Sequence, residues 1–419
     1  MNVTLINPNR YRYPPVIPLG LEYLAGVIES SGYYVNILDL CFSDDLYGDI
    51  DKHFSVNYSD IIGVTIRNID QGIYGTKDCF LDEIRDIVRY IKNRYNKPIV
   101  LGGAGFSIMP GEILEYTGGD YGVCGYGEKA VLKLLKDIES SNTDYTIIDG
   151  YNQGIDERFE HKKKTYFDYN VYFDNGGIAG FETQKGCNGM CSYCYEGKRK
   201  VIHRAVKDII EELKIIIGSG YRKFHLCDSE FNQDADFCEY FLEELIRAKI
   251  DMNWVLYMKP VPYSKEMFAL LKQSGAEAVT LSVDSYQCTN SGSFYSFENL
   301  KDVIQYAKEY DIKLAVDLLA GFPYEAKDSV RDVIDFFKKY RPETVGVSYA
   351  IRIHPCVELE KTVLGDENQR QYISGNPSEG YIKPVYYRWL TPEDIKELAG
   401  GDELFRIEAG DKMVNYERV

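Results

Sequence analysis

A chain of 419 residues, 45% hydrophobic and 27% charged, holds too much apolar material for one ordinary domain and reads as two globular domains with an appendage. Its formal net charge of −17 works against wrapping a phosphate backbone, so nucleic acid is not an expected partner. No apolar run is long enough to cross a bilayer, and Met1 to Pro8 carries no basic leader, so the chain reads as cytoplasmic.

The local basic clusters, Lys162-Lys-Lys164 and Lys198-Arg-Lys200, are short and read as solvated faces. Ten cysteines are dispersed except for one trio, a usage that fits a reducing compartment rather than a disulfide scaffold. The 36 tyrosines suit amphipathic core edges.

In chain order, Asn2–Ile6 is a short apolar strand ended by Asn7-Pro8. Leu21, Leu24, Ala25 and Ile28 recur at helical spacing over residues 19–29, and Tyr34–Leu38 returns as a strand. Strands follow at Ile61–Ile66, Ile99–Leu101 and Tyr121–Cys124, with helices at about Cys79–Tyr95 and Ala130–Ile138. This alternation predicts an α/β fold whose first part is a Rossmann-like, doubly wound parallel sheet with its ligand site beyond the strand carboxyl ends. Glycines at Gly102-Gly-Ala-Gly105 and Gly125-Tyr-Gly127 would let a flat cofactor approach the backbone, or they serve ordinary tight turns. The first run does not complete G-x-G-x-x-G, so NAD is not favoured.

Residues 140–175 lose periodicity and read as a connector with a small hairpin. The alternation restarts with a strand at 180–186, then Lys223–Cys227, Asn253–Tyr257, Ala278–Val283, Lys313–Leu319 and Thr344–Tyr349, with helices between them. Six βα repeats are too few for a closed eight-stranded barrel and predict a partial one, with its active site at the strand carboxyl ends. Beyond about Pro355 come a loop-rich section and a short helix with Thr391 as N-cap and Pro392 at its first position. Tyr381, Tyr386, Tyr387, Trp389 and Phe405 in this part either close the barrel mouth or pack against it.

The chemistry concentrates in Cys187-Asn-Gly-Met-Cys191-Ser-Tyr-Cys194, a C-x3-C-x2-C loop after the first of these strands. Three thiolates on one loop can hold three irons of a 4Fe-4S cube or three positions around a tetrahedral ion, and each arrangement leaves one site open. A closed structural zinc would need a fourth ligand such as Cys227, and the usual second C-x2-C pair is missing.

This spacing, with Tyr193 before the third cysteine and the loop placed after the first barrel strand, resembles the radical S-adenosylmethionine (SAM) superfamily over about 176–355. Pro18-Leu-Gly-Leu-Glu-Tyr-Leu-Ala25, Leu101-Gly-Gly103 and Asp120–Glu128 resemble the domain that precedes the barrel in cobalamin-binding radical SAM enzymes. Asp228-Ser-Glu-Phe-Asn232 and Gly321-Phe-Pro-Tyr-Glu325 resemble strand ends of the same subgroup. The resemblance implies a cobalamin-binding domain at 1–145, a linker at 146–175, a partial (β/α)6 radical SAM barrel at 176–355 and a capping region at 356–419.

It further implies that Cys187, Cys191 and Cys194 hold a 4Fe-4S cluster whose fourth iron takes the amino and carboxylate groups of SAM. By position, Tyr193 would support the adenine, Asp228 and Glu230 the amino end, Ser282 and Asp284 the ribose or carboxylate, and Lys259 would pair with the SAM carboxylate. Strand-end capping or an ordinary surface charge is the other use of each. Cobalamin would contact Asn7, Pro8, Leu19, Gly20, Arg67, Asn68, Gly102, Gly103, Ala104, Gly125, Tyr126, Gly127 and Glu128. The D-x-H-x-x-G motif that supplies a histidine below cobalt is missing, and His53 is the only histidine among the first 150 residues. Arg67 at that lower face would discourage a sixth ligand and favour heterolytic methyl transfer; a helix cap or a salt bridge is its other use.

The activity implied is reductive SAM cleavage and cobalamin-dependent C-methylation of a small molecule or peptide, with a low-potential donor such as flavodoxin or ferredoxin. The alternatives are a radical rearrangement, cyclisation or oxidation without methyl transfer, a methylthiotransferase, and a non-catalytic metal or cobalamin sensor.

Overall fold

The computed structural model describes residues 1–76, 79–155, 164–289 and 293–408. It divides into two compact units, one of residues 1–71, 78–180 and 207–219, the other of residues 72–77, 181–206 and 220–419.

In the first unit, β1 (Asn2–Asn7), β2 (Tyr34–Asp39), β3 (Ile61–Thr65), β4 (Ile99–Gly102), β5 (Tyr121–Cys124) and β6 (Ile147–Asp149) form one sheet ordered β2-β1-β3-β4-β5-β6. Every pairing is parallel. The strand order reverses at β1, so the crevice beyond the carboxyl ends of β1 and β3 is the switch point where such sheets take ligands. The strands are apolar because both faces are covered, and Ile6, Ile62 and Leu101 are fully buried.

In this unit two helices of eight residues or more lie where the sequence showed none, Leu46–Val56 and Pro110–Thr117. The first buries only Ile50, so it has no apolar stripe to read; Asp45 starts it by accepting from the Gly48 N–H. The stretch expected to be a connector with a hairpin instead supplies β6 as the sheet's edge and a short helix at Tyr169–Asp174. It is tied down by Glu22, a fully buried carboxylate that accepts from Tyr166 N at 2.9 Å and Tyr169 Oη at 2.6 Å. In the basic cluster there, Lys164 pairs with Glu29 at 2.8 Å, while Lys162 and Lys163 lie outside the described residues.

The second sheet runs β7 (Ala179–Phe181), β8 (Lys223–Leu226), β9 (Asn253–Met258), β10 (Ala276–Asp284), β11 (Lys313–Leu319), β12 (Thr344–Ser348) and β13 (Phe405–Ile407), with spatial order following chain order. Sequential parallel strands with helices between them are the wall of a partial βα barrel. The expected six strands are present, and the region expected to cap them adds a seventh, β13, parallel to β12. On β9 the residues alternate: Trp254, Leu256 and Met258 are buried, while Val255 and Tyr257 on the opposite face are half-buried. Trp254 is the hub of the buried face, with Phe181 and Phe231 rings at 5.9 Å and its indole N–H donating to Ser274 O. Thr391 caps the helix Pro392–Ala399 in a reciprocal box with Asp394, as its sequence predicts.

The glycines at the strand ends of the first unit answer mainly to the domain's own packing. Gly103 has φ of 101°, and a Cβ there would lie 2.6 Å from Ile66 O. At Gly20, in the first turn of the helix Leu19–Ser30, a Cβ would meet nothing within 4 Å. Gly103→Ala is therefore expected to cost about 1–3 kcal/mol in urea unfolding, whereas Gly20→Ala should be neutral or gain up to about 1 kcal/mol.

Candidate active site

The cysteine loop is an excursion between β7 and the helix Val206–Gly218, and it is pinned at its base. Asp228, at the carboxyl end of β8, accepts from the Thr183 N–H at 2.7 Å and the Gln184 N–H at 3.3 Å, with the Thr183 hydroxyl as a third donor. The expected single strand at 180–186 breaks at this point, and Gln184–Lys185 instead pairs with Ile202–His203 to close the excursion. Within it, Lys198 N donates to Gly189 O and Arg199 N to Cys187 O, both at 2.8 Å. Lys198, from the second basic cluster, also reaches Glu358 at 3.3 Å.

The Cys191 thiol feels the charges of both Cys194 and Cys187, so the three lie near one another. A Cβ at Gly189 would stand 3.2 Å from Cys187 Sγ and 3.8 Å from Cys191 Sγ, so a side chain there would press on the first thiol. Burial, then the Asp284 charge, pushes the Cys191 thiol up to about 12, and burial also raises Cys194. Such thiols ionise only against a bound cation, which couples ligation to proton release. Among the described residues, no three His, Cys, Asp or Glu side chains are grouped to hold a single metal ion. In a cube each thiolate binds its own iron, so a cluster does not require the three sulfurs to meet at one ion. The donor set thus fits a cluster with one open iron, and Cys227, exposed with its Sγ 4.0 Å from His225 Nδ1, does not close a zinc site.

Around this loop the barrel strands end in buried acids. Burial pushes Asp228, Glu230 and Asp284 up to about 7 and Asp317 up to about 6. Asp228 spends its oxygens on Thr183 and Gln184, the strand-end capping role. Glu230 is tempered by Ser282, which shares a register row with Asp317, and its Oε2 is buried without a hydrogen-bond partner. Asp284 is tempered by the Tyr193 hydroxyl, and its Oδ1 is in the same state. Those two oxygens await a polar ligand. Tyr193 packs its ring 5.8 Å from that of Phe322, and Tyr295 Oη accepts from Asp284 N. Lys259 donates to Asn188 Oδ1 at 2.6 Å and Gln233 Oε1 at 3.0 Å, on the cysteine loop's side of the barrel. Asp317 and Gln233 were not picked out in the sequence. Asp317 lies inside an otherwise apolar strand, a signal that could have found it.

The residues expected to meet cobalamin all lie in the first unit, at strand carboxyl ends and in the first turns of the helices that start at Leu19 and Gly127. Asn7 is buried and donates to Asp39 and Tyr172, and Pro8 and Leu19 are buried beside it. Arg67, Asn68, Ala104 and Gly20 are exposed, and among the described residues Arg67 makes no ion pair. Gly102 lies against Val123 O, Gly125 against the Tyr151 ring, Gly127 against Leu24, and Tyr126 stacks edge-on to Tyr151 at 5.1 Å; Glu128 is buried. The helices starting at Leu19 and Gly127 have no side-chain N-cap, and at the first of them Leu19 N and Leu21 N donate to Ile17 O and Pro18 O. This arrangement fits cobalamin.

Of the C-terminal aromatics, Tyr381, Tyr386, Tyr387 and Phe405 are buried in packing, and Trp389 donates to Phe322 O at 3.0 Å.

Two family models match, the B12 binding domain over residues 10–135 and the radical SAM superfamily over residues 181–337. The chain is a radical SAM protein with a B12 binding domain. Among relatives of this radical SAM protein, the tryptophan 2-C-methyltransferase of Streptomyces laurentii is 24% identical, over 93% of this chain and 78% of its own. The cytidylyl-2-hydroxyethylphosphonate methyltransferase of Streptomyces wedmorensis is 23% identical, over 97% and 88%. The solved structure of the radical SAM methyltransferase TsrM from Kitasatospora setae, with cobalamin and a [4Fe-4S] cluster bound, superposes with a TM-score of 0.82 at 25% identity, covering 90% of this chain and 81% of that one. No helix among the described residues is long and apolar enough to cross a membrane.

The raised acids carry a sign. Asp317 holds its proton to about 6 when folded and to about 4 when unfolded, so between those values the folded state binds the extra proton and stability falls as pH rises. The urea midpoint of the cluster-free protein should drop between about pH 5 and about pH 7.5, and Asp317→Asn should recover part of the drop at the higher pH.

Proposed function

We propose that the protein is a cobalamin-dependent radical SAM methyltransferase acting at a carbon of a small molecule. The observation that carries this reading is the union, in one chain, of a three-thiol loop on a partial barrel with a B12 binding domain, similar along most of its length to methyltransferases with both parts. When bound, the cluster with SAM supplies low-potential electron and radical chemistry, and cobalamin supplies a transferable methyl group.

The chain's own residues do the rest. Asp228 fixes the base of the cysteine loop, so the thiols are preorganised. Glu230 Oε2 would accept from the amino end of SAM and Asp284 Oδ1 from its ribose, and the Tyr193 ring would support its adenine. Asp317, with its carboxyl lifted toward neutrality, is the group suited to take the proton that a methylated carbon gives up. Arg67, exposed just beyond β3, would hold the lower side of cobalamin and, as a permanent cation with no lone pair to donate, would keep that side free of a ligand. Tryptophan, the substrate named for the Streptomyces laurentii relative, is the first substrate to try. We place the protein in the cytoplasm, supplied by a low-potential donor such as flavodoxin or ferredoxin, with no nucleic acid partner.

The test is anaerobic purification with hydroxocobalamin, followed by iron reconstitution and incubation with SAM carrying a labelled methyl group and tryptophan. Stoichiometric cobalamin, a cluster absorption that Cys187→Ala, Cys191→Ala and Cys194→Ala each abolish, and label in the acceptor are expected. SAM cleavage with no cobalamin bound would instead favour a radical rearrangement or oxidation. Arg67→Ala should change the bound-cobalamin spectrum toward a ligated form and lower turnover by about tenfold or more; an unchanged spectrum and turnover remove the role given to Arg67.

A further inference from the structure

We propose that Gln233 relays the positive charge of Lys259 to Cys187 and so raises the reduction potential of the cluster. The inference rests on the reading that the three thiols hold a 4Fe-4S cluster.

Gln233 follows the strand-end segment Asp228–Asn232 and is 6% exposed. Its carboxamide stands between three groups: Lys259 Nζ lies 3.0 Å and Asn188 N 3.3 Å from Oε1, and Cys187 Sγ lies 3.2 Å from Nε2. The orientation follows from chemistry. An ammonium and a backbone N–H only donate, so the amide must turn its oxygen to them, which leaves its NH2 facing the sulfur. Asn188 Nδ2 donates back to Gln233 O at 3.3 Å. Lys259 is held in turn: its N–H donates to Asn232 Oδ1 at 3.0 Å, and Asn232 Nδ2 donates to Lys259 O at 2.8 Å and Pro262 O at 2.6 Å. Glutamine, lysine and thiol are thus fixed from both sides, with burial lowering the lysine's own proton affinity.

An amide whose oxygen accepts from a cation is polarised, and its N–H becomes a stronger donor. Cys187 receives that N–H as well as the N–H of Gly189 at 3.3 Å. Cys191 and Cys194 differ: their neighbouring donors are the Tyr193 hydroxyl and the N–H groups of Glu196 and Gly197. Only the Cys187 corner is wired through a side chain to a cation among the bonds described. Hydrogen bonds to cluster sulfurs stabilise the form with the extra electron and raise the potential. Gln233 is a positioning and tuning residue and does not touch substrate.

The experiment is a dye-mediated redox titration of the reconstituted full chain, without SAM, read by the electron spin resonance of the reduced cluster, with iron and sulfide content measured for every variant. Gln233→Leu removes the donor, and Lys259→Met removes the cation while keeping the amide. Each should lower the reduced-to-oxidised ratio at a fixed potential by about tenfold, about 59 mV for one electron. The double variant should shift no further than Gln233→Leu alone, because the cation acts through the amide. A loaded Gln233→Leu protein with the wild-type midpoint, or a double variant equal to the sum of the singles, overturns the relay. If Gln233→Leu takes up no cluster, Lys259→Met decides alone, and an unchanged midpoint there overturns it. A wild-type chain that takes up no cluster overturns the cluster reading and the relay with it.

Discussion

The site depends on one buried carboxylate. Asp228 ends β8 and takes the hydrogen bonds of Thr183 and Gln184 at the point where β7 stops being a strand. A loop bearing three thiols cannot be placed by its own sequence, since Gly, Asn and Ser leave its backbone permissive. The carboxylate fixes where the excursion leaves the sheet, the pairing of Gln184–Lys185 with Ile202–His203 fixes where it returns, and Arg204 N closes the base on Thr183 O at 2.8 Å. Removing one partner from such a buried set leaves donors unpaired at a cost of about 1–3 kcal/mol each, which the loop would feel first.

The same barrel end is electrostatically costly without a ligand. Three thiols share one loop, and buried Asp284 and half-buried Glu230 and Asp317 at this end of the barrel are each pushed toward the neutral form by desolvation. Lys259 offsets part of this from the edge. A ligand that brings positive charge and N–H donors lets these groups ionise with partners, so binding and deprotonation are coupled. A site built this way is strained toward its ligands rather than stable in their absence.

Much of this was legible in the sequence. β1 to β5 and β8 to β12 announce themselves as apolar runs with turn residues at their ends, because parallel strands covered on both faces have no polar side to disguise them. The cysteine trio is legible because thiolates at that spacing have few other uses. The helix Leu46–Val56 was not, since it buries one residue, and β6 and β13 were not, since three-residue edge strands are defined by their neighbours and not by a pattern of their own. Gln233 is the clearest limit: nothing distinguishes a glutamine two residues past Phe231 until the fold sets Lys259 on one side of it and Cys187 on the other.

The glycines show why residue type alone cannot separate scaffold from ligand contact. Gly103, Gly125 and Gly127 look like room made for a cofactor, yet a side chain at each would strike Ile66 O, the Tyr151 ring or Leu24. Their smallness is already spoken for by the loops that carry them. Gly20 has open space, and Arg67, Asn68 and Ala104 are exposed at the same strand ends. In a doubly wound sheet the ligand sees what the packing leaves over. The positions that the domain's own packing does not explain are therefore the better guide to where cobalamin lies, and in this chain they gather beyond β3 and β4 and at the first turn of the helix Leu19–Ser30.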